Sequence, residues 1–267
     1  MHEKLRTQLA QLRLHGIERV LDAEIERAER EGTSGLELFG RLLSEEAAYR
    51  RERSLAYRLR HAQLPWPWTL ESFPFARQPG INPAHIHTLA GLEFVRRNEN
   101  LLLVGPTGVG KSGIAIGLLR EACLNGYRGC FYNAQALLDE LYASLADRST
   151  ARLITRLSRT SPMVIDEIGY MTMRTEQANA FFRLMEQRYN RVCTIITTNL
   201  EPQSDWYSLF QNKSLVDALL DRLQHHCITI RINGPSLRTP HSGPEPALTA
   251  PASADKKKPS ARTRAAR

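Results

Sequence analysis

Eight consecutive residues carry the clearest chemistry in the chain. Gly105-Pro106-Thr107-Gly108-Val109-Gly110-Lys111-Ser112 satisfies G-x-x-x-x-G-K-[ST] at every fixed position. Glycines let such a backbone curl until successive N–H groups point at phosphate oxygens. Lys111 is then placed to reach the β- and γ-phosphates of a nucleoside triphosphate, and the Ser112 hydroxyl to ligate Mg²⁺. The context agrees with the motif. An apolar run, Leu101-Leu102-Leu103-Val104, precedes the loop, and a helical run follows Ser112.

A second element must hold the metal and prepare water for attack. Asp166 lies 54 residues beyond Ser112, at the end of the apolar run Pro162-Met163-Val164-Ile165, and Glu167 follows it. Neighbouring side chains on a strand point to opposite sides, so the two carboxylates can serve different tasks. Asp166 is expected to hold Mg²⁺ and Glu167 to act as the base that orients water on the γ-phosphate. Adjacent carboxylates at a strand end also suit the start of a polar loop. A third run, Ile195-Ile196-Thr197-Thr198-Asn199, ends in polar groups. Asn199 is the amide expected between the attacking water and the γ-phosphate, with Thr197 and Thr198 capping the strand.

Positioning these groups calls for alternating strands and helices. Short β-rich runs occur at 101–104, 130–132, 163–166, 193–198 and 227–232, separated by helical runs at 112–125, 134–146, 175–190 and 215–223. Five β-units with helical crossovers predict a parallel sheet covered on both faces. Ahead of them, residues 1–62 contain no proline and show helical periodicity (Leu5, Leu9, Leu12, Ile17, Leu21, Ile25), with a break at Gly32-Thr33-Ser34-Gly35. This predicts an all-α N-terminal domain over 1–62, a linker over 63–83 opened by Pro65-Trp66-Pro67-Trp68, an α/β domain over 84–238 and a disordered basic tail over 239–267.

Composition narrows the class further. The 267 residues are 42% hydrophobic and 24% charged, as in a globular protein, which excludes collagen-like and wholly disordered chains. No apolar run approaches the roughly 18 residues of a membrane span, and no secretory leader is evident. Cys123, Cys130, Cys193 and Cys227 form no CxxC pair and read as reduced thiols of a cytoplasmic protein. His225, His226 and Cys227 are adjacent and are read as structural. The net charge of +8 comes from 30 Arg and 6 Lys against 28 acids, and arginine's planar fork suits phosphate. Arg50, Arg51, Arg53, Arg58 and Arg60 stand against Glu52 alone; they are either a solvated helix face or a DNA-binding cluster. Trp66, Trp68, Phe73 and Phe75 suit either core packing or a contact with adenine.

The chain has no NKxD guanine-reading motif and no LSGGQ motif. An extra strand between the glycine-rich loop and Asp166-Glu167, with a polar strand tip after them, resembles the AAA+ branch of P-loop ATPases. NLLLVGPTGVGKS, VIDEIGYMTM, RYNRVCTIITTNLEPQSDWYSLF and DALLDRLQHHCITIRINGPSLR, with QLRLHGIERVLDAEIERA at the N-terminus, resemble the IstB-like ATPases of insertion elements. That family is related to the DnaC helicase loaders.

The resemblance implies an AAA+ core without a helical lid, with ATP and Mg²⁺ bound between the subunits of a ring or spiral. It implies that Arg222, in Asp221-Arg222-Leu223, completes a neighbour's site. Otherwise Arg222 serves an intramolecular ion pair with Asp217. It further implies a helper that binds and deforms duplex DNA and activates a partner transposase, the N-terminal module contributing DNA or partner contacts. A helicase loader, or a scaffold ordered by nucleotide, are the alternatives. Arg238 is a candidate second sensor, although Leu237 stands where relatives commonly have tyrosine.

Overall fold

A computed structural model describes residues 2–169, 173–200, 204–210 and 213–238. The chain through Leu237 forms one compact unit, and a second begins at Arg238. The expected basic tail over 239–267 lies outside the described residues.

Three helices open the chain: α1 (His2–Gln11), α2 (His15–Glu31) and α3 (Gly35–His61). The periodicity had suggested one helix before Gly32. Instead the backbone turns at Leu12-Arg13-Leu14, with Arg13 at φ +56°. Leucine spacing continues through the turn, so periodicity could not reveal it. Leu14 gives α2 no side-chain cap. Glu46 of α3 does this from a distance, its Oε2 accepting from Gly16 N at 2.6 Å and Ile17 N at 3.3 Å. The contact requires a glycine, because a Cβ at Gly16 would lie 2.7 Å from the Glu46 Cα. Gly32 ends α2 in the left-handed conformation, and Ser34 with Glu37 forms a capping box on α3. Leu9, Ile17, Leu21 and Leu42 make a small core for this module.

After Phe75–Arg77, a single 3₁₀ turn, come α4 (Pro83–Ala90), α5 (Glu93–Arg96), β1 (Asn100–Val104), α6 (Lys111–Leu124), β2 (Cys130–Asn133) and α7 (Ala134–Ala146). They are followed by α8 (Thr150–Leu157), β3 (Met163–Ile168), α9 (Thr175–Arg188), β4 (Thr194–Thr198), α10 (Ser204–Phe210), α11 (Lys213–His225) and β5 (Cys227–Arg231). The strands form one parallel sheet in the order β2-β3-β4-β1-β5. Among the described residues no helix follows β5.

Period-two geometry sends alternate strand residues into two separate cores. Leu101, Leu103, Val164 and Ile195 pack with α6, α4 and the segment 62–81. Met163, Ile165 and Ile196 pack with α7, α8, α9 and α11. The sheet is therefore covered on both faces, as its apolar strands demand. Helices α4, α5, α8 and α10 were not anticipated; each is short, and local periodicity over four to eight residues is weak. Within α10, Trp206 and Phe210 stack at 6.3 Å inside the second core.

Two contacts seat the end of α3 on the sheet domain. Arg58 Nε donates to the Cys123 carbonyl at 2.7 Å, and Phe131 N donates to the Ala62 carbonyl at 2.8 Å. Arg188 is a further staple. Its guanidinium, fully buried with no acid partner among the described residues, donates to Leu157 O, Thr160 O, Cys193 O and Thr194 Oγ1. Burial lowers its pKa to about 10.

Candidate nucleotide-binding site

The glycine-rich loop runs from the tip of β1 into the first turn of α6. Gly108 and Gly110 have φ of +86° and +99°, which side chains disfavour. Space excludes them too, since a Cβ at Gly108 would sit 2.2 Å from Ser236 Oγ and one at Gly110 2.6 Å from the Phe73 ring. The outer side of the loop is clasped by two segments. Buried Gln78 donates through Nε2 to Val109 O at 3.1 Å and Pro235 O at 3.0 Å, and Leu237 N donates to Gly108 O at 2.8 Å. Phe73 is buried and packs beneath the loop.

Lys111 is buried and folds across the loop, Nζ donating to Gly105 O at 2.7 Å and Pro106 O at 2.8 Å. One turn of α6 begins there, so Ser112 faces the end of β3. Its hydroxyl donates to Asp166 Oδ1 at 2.8 Å. Thr197 Oγ1 donates to the same oxygen at 2.5 Å and accepts from Glu167 N at 2.9 Å. Burial raises the Asp166 pKa, against which the Thr197 and Ser112 hydroxyls act.

Simple strand alternation was expected to separate Asp166 from Glu167, but a bulge does it. Ile165 pairs with Ile196 while Ile168 pairs with Thr198, so three steps on β3 oppose two on β4. Glu167 occupies the extra position with φ +64°, an uncommon conformation for a side chain this size. Its Oε2 accepts from Asn133 Nδ2 at 3.1 Å. Asn133 ends β2 and caps α7 through Oδ1, which receives Gln135 N at 3.0 Å and leaves the amide hydrogens for Glu167.

Asn199 follows β4, and its Oδ1 is buried with no hydrogen-bond partner among the described residues. It lies beside Gly169, two residues beyond Glu167; a Cβ there would approach Asn199 Oδ1 to 2.5 Å. Thr198 does cap the strand, bonding Ile168 O and Leu200 N. Thr197 instead joins the carboxylates. Thr197 was assigned to the strand cap and not to the carboxylates, and Asn133 and Gln78 were not singled out in the sequence. The run of polar residues after Ile196 and the Asn ending β2 were their only signals; a lone Gln gives none.

Arg222 lies on α11, its guanidinium 3.7 Å from Glu186 and 5.1 Å from the Phe182 ring centroid, with Nη1 donating to Ala218 O. The partner is therefore Glu186 and not Asp217, whose carboxylate accepts from Tyr207. Of the α3 arginines, Arg50, Arg51, Arg53 and Arg60 are exposed, whereas Arg58 is tied to Cys123. His225 meets the Tyr189 hydroxyl at 3.0 Å and the His226 ring edge-on.

The Ser112 hydroxyl and Asp166 carboxylate, in direct contact, are the hard oxygen donors that Mg²⁺ prefers. Among the described residues no three His, Cys, Asp or Glu side chains gather as a cage for another metal. Mg²⁺ takes few protein ligands beside substrate phosphates, so the donor set fits it. No described helix is long and apolar enough to cross a membrane.

Sheet order and the glycine-rich loop give the chain the fold of AAA+ P-loop domains. The DnaC helicase loader has this fold, superposing with a TM-score of 0.54 at 19% identity over 63% of this chain and 98% of that one. The family described as IstB-like ATP binding protein matches residues 7–243, and the chain belongs to it. An ATP-binding protein of insertion sequence IS21 from Pseudomonas aeruginosa is 37% identical over 89% of each chain. Another, of IS5376 from Geobacillus stearothermophilus, is 29% identical over 89% of this chain and 94% of its own.

Proposed function

We infer that this chain is the ATP-hydrolysing helper of an insertion element, a cytoplasmic protein that assembles on duplex DNA and activates the element's transposase. The observation that carries the hydrolytic reading is the bond from Ser112 to Asp166 with Glu167 displaced beside it on the bulge. One carboxylate is thereby committed to the metal side and the other left for water. Ser112 and Asp166 would hold Mg²⁺, which when bound neutralises charge on the β- and γ-phosphates. Lys111 exchanges its bonds to Gly105 and Pro106 carbonyls for phosphate oxygens. Glu167 accepts the proton of the attacking water, held in place by Asn133, while Asn199 Oδ1, unpaired among the described residues, orients that water on the γ-phosphate.

Arg222 is assigned to the neighbouring subunit's ATP. Its long contact with half-exposed Glu186 is weak enough to exchange for a phosphate oxygen. DNA contact is assigned to the exposed arginines Arg50, Arg51, Arg53 and Arg60 of α3. The fold of the DnaC loader supports a second reading, in which the same ATP cycle serves a replicative helicase. Fluorescence anisotropy on duplex DNA with ATP, ADP or no nucleotide, alongside phosphate release, tests the proposal. ATP-dependent binding with measurable turnover supports it. Binding indifferent to nucleotide, or retention of a helicase in place of the transposase, transfers the site to the second reading.

A further inference from the structure

Gln78 is wholly buried in the segment that leads from α3 to the sheet domain, and the hydrolytic chemistry gives it no task. A buried side-chain amide has to find partners for its hydrogens, and this one does. Its two Nε2 hydrogens serve two carbonyls, Val109 O in the glycine-rich loop and Pro235 O in the segment after β5. Its Oε1 accepts from Gly80 N at 3.4 Å. Glycines make room for the junction. A Cβ at Gly234 would lie 1.7 Å from Gln78 Oε1, and one at Gly80 would lie 2.1 Å from Asn233 O.

The segment after β5 adds a second hold. Ile232 N donates to Val104 O at 2.8 Å where β1 ends, and Leu237 N donates to Gly108 O at 2.8 Å. Two successive loop carbonyls, Gly108 O and Val109 O, are therefore drawn to the clasping side. A trans peptide unit is planar, so its C=O and N–H point in opposite directions. Holding these two carbonyls turns the Val109 and Gly110 amides away from the clasp, as a phosphate-binding loop requires. Among the described residues neither amide donates to a backbone carbonyl.

We propose that Gln78 is a positioning residue for the nucleotide: by holding the Val109 carbonyl it aims the Gly110 amide at the phosphates. Leu237 N does the same for the Val109 amide through Gly108. The inference rests on the ATP reading above and deepens it, because phosphate affinity then depends on two segments 157 residues apart in the chain.

The kinetic signature separates positioning from packing. Amides that hold phosphate before and during hydrolysis alike contribute uniform binding, so misaiming them raises KM and spares kcat. A folding defect does the reverse, lowering the active fraction and with it the apparent kcat at constant KM.

The test uses the full chain with Mg²⁺, reading phosphate release and, by calorimetry, ATP affinity. Gln78→Met keeps the volume and removes both donors. Kd and KM for ATP are expected to rise about tenfold or more, as for loss of one hydrogen bond to a charged group, with kcat within about twofold. Tripolyphosphate, which carries no base, should weaken as a competitor by the same factor. Leu237→Pro removes the other donor without touching Gln78 and should raise KM likewise, so the outcome does not depend on Gln78→Met folding.

Unchanged Kd and KM overturn the proposal. So does a fall in kcat at constant KM, which leaves Gln78 as packing, and so does weaker ATP binding with tripolyphosphate unaffected, which moves the defect to the base. If the wild-type chain binds no ATP, the nucleotide reading and this proposal fall together. If it binds without turnover, the hydrolytic reading alone falls and the two affinities decide the role of Gln78.

Discussion

At the residue scale, the site turns on which oxygen each hydroxyl and amide holds. Thr197 joins Asp166 Oδ1 to the Glu167 backbone, so it sets both carboxylates at once. Replacing it with valine keeps the shape and removes both bonds. The expected result is a fall in kcat of tenfold or more, equivalent to about 1.4 kcal/mol, with KM little changed. Thr197→Ser should recover most of the rate, and steady-state kinetics of phosphate release read the outcome. Equal losses in KM and stability would reduce Thr197 to a packing residue. Glu167→Gln is expected to retain ATP and lower turnover by 10²-fold or more, on the order of general-base effects. Turnover at the wild-type rate would remove Glu167 from the role of base.

At the element scale, the N-terminal module depends on one carboxylate reaching across helices. Burial opposes charge on Glu46, but Arg50 and the Gly16 and Ile17 amides more than offset it, holding its carboxyl below the ordinary 4.5. A lowered folded value means that the unfolded chain binds the proton first. The stabilisation is therefore complete above about 4.5 and lost as pH falls through the folded value. Acid melts followed by circular dichroism should lose this pH dependence in Glu46→Gln. Glu46→Ala strands two buried donors and is expected to cost about 1–3 kcal/mol. Gly16→Ala, which forces α2 away from α3, should cost a similar amount, about 1–3 kcal/mol; an unchanged melting temperature would show that α2 can shift freely.

At the scale of the whole molecule, ATP must join subunits if Arg222 acts on a neighbour. Lys111→Ala is expected to abolish ATP-dependent assembly measured by light scattering. Arg222→Ala should assemble and turn over little ATP. Mixing the two variants places an intact Arg222 beside an intact Lys111 at some interfaces, so partial ATPase recovery is expected. No recovery would mean that Arg222 serves only its own subunit, through Glu186 and Phe182.

Gly105–Ser112, Asp166 and Glu167 were legible in the chain because each depends on local geometry: a loop curled by glycines, and an apolar strand ending in acids. The parallel sheet was legible for the same reason, since strands buried on both faces must be continuously apolar. Thr197 and Asn133 were not, because their roles arise from β2, β3 and β4 lying side by side with one bulge in register. The turn at Arg13 was hidden by unbroken leucine spacing, and Glu46 reaches α2 from 30 residues away. Local spacing determined which groups gather at the end of the sheet. Packing between distant segments decided which oxygen each one holds, because hydrogen bonds across a sheet or between helices leave no periodic trace in the chain.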